Sequence, residues 1–148
     1  MSYRWSASSY GAAVAEIEVD RNTGVIVAKR MYGAIEAGQI VNPGFVENQI
    51  SGMLVQAASR MLKEEVTFSR TNVTSVDWVS YPILRCGEAP EVFPVVVKRQ
   101  DQPSTGVGEE AIAAAAAAIA NAFFDATGVR LREHPMTPPR VLAALRRG

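Results

Sequence analysis

The sequence contains little of what protein metal sites and histidine-based catalysis require. Its 148 residues include one cysteine, Cys86, and one histidine, His134. A single cysteine excludes a disulfide within the chain. A lone histidine argues against a histidine-rich metal site and against a Ser-His-Asp triad. We therefore expect no metal ligands from the protein, and we expect Cys86 to be a small buried hydrophobic residue.

An excess of charge and long apolar runs are also missing. Fifteen Lys and Arg residues balance fifteen Asp and Glu residues, so no overall field attracts nucleic acid or an acidic membrane. No apolar run approaches the roughly 20 residues of a membrane span, and the start MSYRWSASSY lacks the pattern of a signal peptide. We expect no nucleic-acid partner and no direct membrane span, and the compartment stays open between cytoplasm and periplasm.

The first part of the chain predicts a hairpin followed by a long helix. Within residues 12–20, apolar side chains at 13, 15, 17 and 19 alternate with acidic ones at 16, 18 and 20, which is typical of a strand with one exposed face. A turn ending at Gly24 leads to a returning strand, so residues 12–37 are expected to form a hairpin. Asn42 then suits the N-cap, and Pro43 the first turn, of an amphipathic helix of about five turns.

The middle of the chain predicts further strands. Residues 65–84 are rich in Val, Thr and aromatic residues, which predicts a second hairpin with its turn at 70–72. Another strand is expected at 91–100, where Pro94 requires an edge position or a bulge. A short strand is expected at 129–135.

Two helices complete the pattern. An alanine-rich helix should follow residues 102–110 and end at Gly128, which suits a left-handed C-terminal cap. A short last helix should begin with Thr137 as its cap and Pro138 in its first turn. The order ββαββ(β)αβα predicts one α+β domain over residues 1–148.

The segment before the alanine-rich helix contains the most distinctive motif, GVGEE at 106–110. Gly106 and Gly108 allow close approach to their backbone, and N–H groups at a helix start favour negative charge. That charge is either a bound anion such as a phosphate or simply Glu109 and Glu110. On spacing alone we favour two acids that stabilise a first helical turn, since short glycine-rich motifs are weak evidence.

Two glutamines are expected on one face of the first long helix. Gln49 and Gln56 are two helical turns apart and share their face with Gly52. Within a helix Gly52 costs about 1 kcal/mol relative to alanine, so we expect a close neighbour at that point. A glutamine there could donate to a ligand's oxygen, but a partly buried amide bonded to the backbone is the commoner situation.

Three segments, 41–68, 77–85 and 101–145, occur together in an order and at a spacing typical of one family. Their most specific features are GVGE at 106–109, the AIANAFFDATGVRLR that follows it, and NP…QI.G…Q upstream. From Gly11 onward the chain resembles the C-terminal part of the molybdenum-cofactor-binding large subunit of the xanthine oxidase/aldehyde oxidase family. The most similar branch contains isoquinoline oxidoreductase and nicotinate dehydrogenase.

The resemblance implies an activity and a base. These oxidoreductases hydroxylate an aldehyde carbon, or a carbon next to nitrogen in a heterocycle, and take the oxygen from water. The family's base is the glutamate of its GxGE motif, here Glu109, which removes the proton from a hydroxyl on molybdenum. Glu110 is then left as the helix cap. Proton removal requires a carboxylate within hydrogen-bond reach of the group that loses the proton.

The same resemblance assigns the cofactor contacts. Gln49 resembles the glutamine that contacts the pterin or the metal's oxo group, and Gly106, Val107 and Gly108 supply backbone near the cofactor. In this family the pterin's dithiolene sulfurs hold the molybdenum. Other segments of the subunit complete the site, so the isolated chain is expected to hold no molybdopterin-type cofactor and to be inactive.

The resemblance also implies partners. They are the remainder of the large subunit, a small [2Fe-2S] subunit and, in some members, a cytochrome. A second function class stays open, in which the chain is a non-catalytic assembly or partner-binding domain whose acids only cap a helix. The sequence differs from the family pattern at Glu36, Ser51, Ala57 and Glu110, where the family has Asp, Glu, Gly and Pro.

Overall fold

The computed structural model describes residues 2–3 and 9–148 and contains a four-stranded sheet. Strand order follows the chain, with the first three strands antiparallel and the third and fourth parallel. The expected α+β class is confirmed. The strands are β1 (Ser2–Tyr3), β2 (Tyr10–Val19), β3 (Ile26–Glu36) and β4 (Glu91–Val97).

In the described part of the chain, two long helices and one short helix accompany the sheet. The first two pack against each other, and each also packs against strands of the sheet. A single 3₁₀ turn at Cys86–Glu88 precedes β4. The helices are α1 (Pro43–Leu62), α2 (Ile112–Thr127) and α3 (Pro138–Leu145).

The predicted hairpin of residues 12–37 is confirmed by the pairing of β2 with β3. Ala13 is buried while Glu16 and Glu18 are exposed, as alternation along a strand requires. The strand predicted at 91–100 is shorter and ends at Val97. As predicted, Pro94 belongs to a strand at the edge of the sheet, since β4 pairs with β3 alone.

Local signals correctly define the start of α1 and the end of α2. Asn42 caps α1, because its side-chain oxygen accepts the N–H of Phe45 at 3.1 Å. Gly128 ends α2 with φ 76°, and its N–H donates to the carbonyl of Phe124. The alanine face of α2 is core packing, since its small side chains allow the helix to lie close to β2 and α1. Its buried residues are Ala114, Ala115, Ala118, Ile119 and Phe123.

The second predicted hairpin is wrong. Residues 65–84 contain a single antiparallel bridge, between Phe68 and Val73, around the predicted turn. Beyond it, the carboxylate of Asp77 accepts the N–H groups of Val79 and Ser80. These local bonds compete with a strand ladder for the backbone donors. The segment therefore runs as connected turns.

Two smaller expectations are also wrong. Residues 129–135 have no strand partner in the described part of the chain, and just after them the N–H of Met136 donates to the carbonyl of Met61. Cys86 is exposed, because it lies in the 3₁₀ turn and outside the core. The start of α3 lies where it was predicted, with Thr137 at the N-cap position and Pro138 in the first turn, although the Thr137 side chain makes no capping hydrogen bond.

Candidate functional site

An open groove of about 950 Å³ lies between α1 and the segment 78–84. Gly108 and Glu109, from the loop before α2, contribute to its lining together with residues from these two walls. The groove therefore collects residues that are distant in sequence. Its lining consists of Gln49, Ser51, Gly52, Met53, Val55, Gln56, Ser59, Glu64, Trp78, Tyr81, Ile83, Leu84, Gly108, Glu109 and Ile112.

A hydrogen bond joins the two motifs that were singled out in the sequence. The side-chain amide of Gln49 donates through Nε2 to the carbonyl oxygen of Gly108 at 3.0 Å, across 59 residues of sequence. Glu109, the next residue, is exposed and lines the same groove. Gln56 also lines it, so both glutamines of the α1 face lie there. The structure thus brings Gln49, Gly108 and Glu109 together.

Glu110 does not cap α2, which corrects the sequence prediction. The helix begins at Ile112, its N-cap is Ala111, and neither acid lies in its first turn. Glu110 is buried at 4% exposure, and its Oε2 accepts the backbone N–H of Glu109 at 3.0 Å. The two acids therefore have different surroundings, one in the groove and one inside the protein.

The start of the glycine-rich loop is tied to the end of β3. The N–H of Gln39 donates to the carbonyl of Gln102 at 2.9 Å, and the N–H of Thr105 donates to the carbonyl of Ala37 at 3.1 Å. Gly38 is required between them, because a Cβ there would lie 2.0 Å from the carbonyl oxygen of Pro103. These contacts hold the chain that leads into the GVGEE motif.

The rest of that loop combines one anchored side chain with accessible backbone. Val107 is half-buried and packs against the core. Gly106 has a positive φ of 89°, which few residues other than glycine adopt, and Gly108 has open space where a Cβ would be. The prediction that this backbone can be approached closely is therefore consistent with the geometry.

The expected close neighbour of Gly52 is absent among the described residues. No atom lies within 4 Å of the position that a Cβ would occupy, and Gly52 lines the groove. The missing side chain widens the groove between Gln49 and Gln56. Ser51, also in the groove, donates its hydroxyl hydrogen back to the carbonyl of Glu47 at 2.8 Å.

The opposite wall contains residues that the sequence reasoning did not single out. The Tyr81 hydroxyl donates to Oε2 of Glu64 at 2.8 Å. This hydrogen bond, with a smaller contribution from burial, raises the pKa of the Tyr81 phenol above its ordinary value. Trp78 lines the same wall and is 75% exposed. The aromatics of the wrongly predicted hairpin were the available signal, but nothing in their spacing indicated a groove.

The described residues lack two features that bear on function. They contain no group of three or more His, Cys, Asp or Glu side chains arranged to hold a metal ion. Within the same part of the chain, no helix is both long enough and apolar enough to cross a membrane.

Comparison with known proteins identifies the family. Residues 3–90 match the family model of the molybdopterin cofactor-binding domain, a stretch that includes Gln49 and ends before Glu109. Over 138 residues the chain is 46% identical to a subunit of nicotinate dehydrogenase from Pseudomonas putida, and the match covers 93% of this chain. The chain belongs to the molybdopterin cofactor-binding domain family of the xanthine oxidase group.

Two further relatives support the assignment. The beta subunit of isoquinoline 1-oxidoreductase from Brevundimonas diminuta is 29% identical over 99% of this chain. The structure of the aldehyde oxidoreductase from Desulfovibrio gigas superposes with a TM-score of 0.81 and 31% identity over 93% of this chain. The chain spans only 12% of the nicotinate dehydrogenase subunit, 18% of the isoquinoline oxidoreductase subunit and 15% of the aldehyde oxidoreductase chain.

Proposed function

We propose that this chain is the C-terminal segment of the large subunit of a molybdenum hydroxylase, and that Glu109 is its base. The hydrogen bond from Gln49 to Gly108 carries the proposal. It joins the glutamine of one family-like motif to the GVGE loop of the other, at one groove. Residues brought together from distant positions in one cleft are typical of a functional site.

Two features of the groove support the proposal that it binds a polar cofactor such as a pterin. Gly52 and Gly108 leave open space where side chains would otherwise project. Gln49 and Gln56 place amide groups in the lining, and an amide offers both donors and acceptors. The bond from Gln49 Nε2 to Gly108 leaves its second N–H and its oxygen for a ligand. Gln49 and Gly108 line the groove and would hold the cofactor there, while Gly106 and Val107, which are not among the lining residues, would approach it only through the backbone of the loop.

The chemistry divides between the cofactor and the chain. The cofactor supplies the molybdenum at which an aldehyde or an N-heterocycle is oxidised. Glu109 accepts a proton on its carboxylate, as a general base must. The ion pairs of the described residues do not include Glu109. Glu109 therefore lines the groove with no cation paired to its carboxylate among the described residues.

The rest of the enzyme would come from outside this sequence. The groove is open, and residues 1–148 would form one α+β domain whose cofactor site is completed by the remainder of the large subunit. Relatives that are themselves named as subunits motivate further partners, namely a small [2Fe-2S] subunit and, in some assemblies, a cytochrome. The substrate class follows relatives named for nicotinate, isoquinoline and aldehyde.

The exchange Glu109→Gln in the assembled enzyme tests the base. It keeps the size of the side chain and removes its basicity, so turnover should fall by about 10²-fold or more while molybdenum content stays unchanged. Glu47→Gln is the matched control, since Glu47 is an exposed acid of α1 outside the groove lining. Unchanged turnover of Glu109→Gln at full molybdenum content would remove Glu109 from the mechanism.

An assembly or partner-binding domain is the second candidate. The observation in its favour is a set of exposed apolar side chains that α1 and the segment 66–79 present to solvent. Under this function both Glu109→Gln and Glu47→Gln would leave turnover unchanged, and changes in the apolar set would reduce assembly. The set consists of Phe45, Val66, Phe68, Val73, Val76, Trp78 and Val79.

A further inference from the structure

The peptide group between Gly108 and Glu109 is held by side chains on both of its edges. Its carbonyl oxygen accepts the Gln49 Nε2 hydrogen at 3.0 Å, and its N–H donates to the Glu110 carboxylate at 3.0 Å. This peptide is trans, since the one cis bond of the described residues is His134–Pro135. In a trans peptide the C=O and N–H groups point in opposite directions. The two side chains therefore hold one rigid peptide group by hydrogen bonds on its opposite edges.

These two hydrogen bonds matter because the residue on the N-terminal side of this peptide, residue 108, is a glycine. Gly108 has open space around its missing Cβ, and a glycine backbone adopts more conformations than any other. A change in ψ of Gly108 or in φ of Glu109 that the other does not compensate would turn the peptide plane and redirect the side chain of Glu109. Two hydrogen bonds on the plane oppose that rotation. They act next to Glu109, which lines the groove.

The two residues that hold the peptide, Gln49 and Glu110, belong to different parts of the fold. Gln49 projects from the second turn of α1, whose core face is buried. The backbone of Glu110 lies against β2, where a Cβ on Gly11 would lie 2.4 Å from the Glu110 carbonyl oxygen. Glu110 itself is 4% exposed and is absent from the groove lining. The buried carboxylate therefore has a partner inside the protein and no access to a ligand in the groove.

We propose that Gln49 and Glu110 are positioning residues that fix the direction of the Glu109 side chain. This inference rests on the proposed base role of Glu109. It gives Gln49 a task besides contacting a cofactor, and it gives the buried acid a task that helix capping does not. Glu110 acts only through Glu109, because it does not reach the groove.

Hydrogen exchange at the Glu109 amide tests the two hydrogen bonds on this peptide, and the measurement does not depend on enzymatic activity. In the full 148-residue chain, Glu110→Ala removes the acceptor of that N–H and should speed its exchange by about tenfold or more, because loss of the hydrogen bond makes local opening of the amide easier. Glu110→Gln keeps an acceptor oxygen and should remain within about threefold of the parent chain. Gln49→Leu releases the other edge and should speed the same exchange. Unchanged exchange at Glu109 in both Glu110→Ala and Gln49→Leu overturns the proposal.

Steady-state kinetics of the assembled enzyme provide the second test. Turnover per bound molybdenum should fall by about 10²-fold in Glu110→Ala with KM nearly constant, because small misplacements of a reacting group have effects of this size. Glu110→Gln should retain most of the turnover that Glu110→Ala loses. Faster exchange in Glu110→Ala with unchanged turnover overturns the positioning role. Full activity of Glu109→Gln is a separate result, because it overturns the base role whatever the exchange shows.

Discussion

Gly11 and Glu110 are in such close contact that strand β2 can carry no side chain at this point. A Cβ at position 11 would lie 2.4 Å from the Glu110 carbonyl oxygen and 2.9 Å from its carbonyl carbon. Neither atom can move easily, since both belong to backbone that leads directly into α2. Strand β2 and the GVGEE motif therefore pack directly against each other. The position of the loop residues that line the groove depends on this contact.

Gly11→Ala should destabilise the chain. The added methyl group must displace the backbone of residue 110, and overpacking of this kind typically costs about 1–3 kcal/mol. Gly52→Ala is the matched control, because nothing lies within 4 Å of its Cβ position and alanine is favoured over glycine in a helix by about 1 kcal/mol. Urea unfolding should therefore give opposite signs for the two exchanges. Equal effects would contradict the close contact at Gly11.

Gly52→Leu should separate stability from cofactor binding. Leucine is a good helix former and would project into open groove, so the free energy of unfolding of the chain should not decrease. In the assembled enzyme the same side chain would occupy space that we assign to the cofactor, and molybdenum per subunit should fall severalfold. Arg60→Leu, on an exposed position of α1 outside the groove, should leave the molybdenum content unchanged. Full molybdenum content in Gly52→Leu would argue against a cofactor beside this residue.

The parts of the fold that could be predicted are those determined by local physics. Alternation from residue 12 to residue 20 predicts β2, and Asn42 with Pro43 predicts the start of α1, because side-chain period and capping act over a few residues. The left-handed cap at Gly128 is of the same kind. Each of these features forms with little help from distant neighbours.

The parts that could not be predicted depend on what packs nearby. Residues 65–84 have the composition of strands, but within the described chain no further strand pairs with them beyond the one bridge. Gly52 suggested a close neighbour and instead faces the groove. Glu110 suggested a helix cap and is instead buried against β2. Composition and spacing contain no information about these partners.

The candidate site was predictable only in part for the same reason. Spacing indicated that Gln49 and Gln56 share a face, and both do line the groove. The resemblance selected Glu109, and family membership is shown, while its role as base stays a prediction. The hydrogen bonds to the 108–109 peptide come from a residue of α1 and a residue of the loop, so no local sequence pattern could predict them.

The ion pair between Lys63 and Glu88 should make stability depend on acidity. It connects the end of α1 to the 3₁₀ turn before β4. The hydrogen bond from Lys63, and then the backbone N–H of Arg85, lower the pKa of the Glu88 carboxyl. A lowered folded-state pKa contributes stability above the ordinary glutamate pKa of about 4.3. That contribution is lost as the pH falls through the lowered value.

Glu88→Gln should therefore make the free energy of unfolding depend less on pH in the acid limb of the stability profile. Urea unfolding between about pH 5 and pH 2 measures it. The parent chain should lose more free energy of unfolding over this interval than Glu88→Gln, by a small amount, because both side chains are partly exposed. Glu91→Gln, an exchange of an exposed acid at the start of β4, should keep the parent profile. Identical acid limbs for the parent and Glu88→Gln would show that the pair contributes nothing.

Arg140 of α3 should be a larger source of stability, because it donates to two acids and a carbonyl at once. Its guanidinium donates to both oxygens of Glu65 at 3.1 and 2.7 Å, to Glu133 at 3.0 Å and to the Pro135 carbonyl at 3.1 Å. Arg140→Met keeps the aliphatic stem and removes every donor, so it should cost about 1–3 kcal/mol in urea unfolding.

Arg140→Lys distinguishes the geometry of this contact from its charge. An ammonium group retains the positive charge but cannot present the planar fork that binds both oxygens of Glu65, so lysine should restore only a minor part of the loss. Arg146→Met is the control, since Arg146 lies at the end of α3 and should change stability by less than about 0.5 kcal/mol. If Arg140→Lys were as stable as the parent chain, charge alone would hold α3 against the end of α1, and the two-oxygen contact with Glu65 would be incidental.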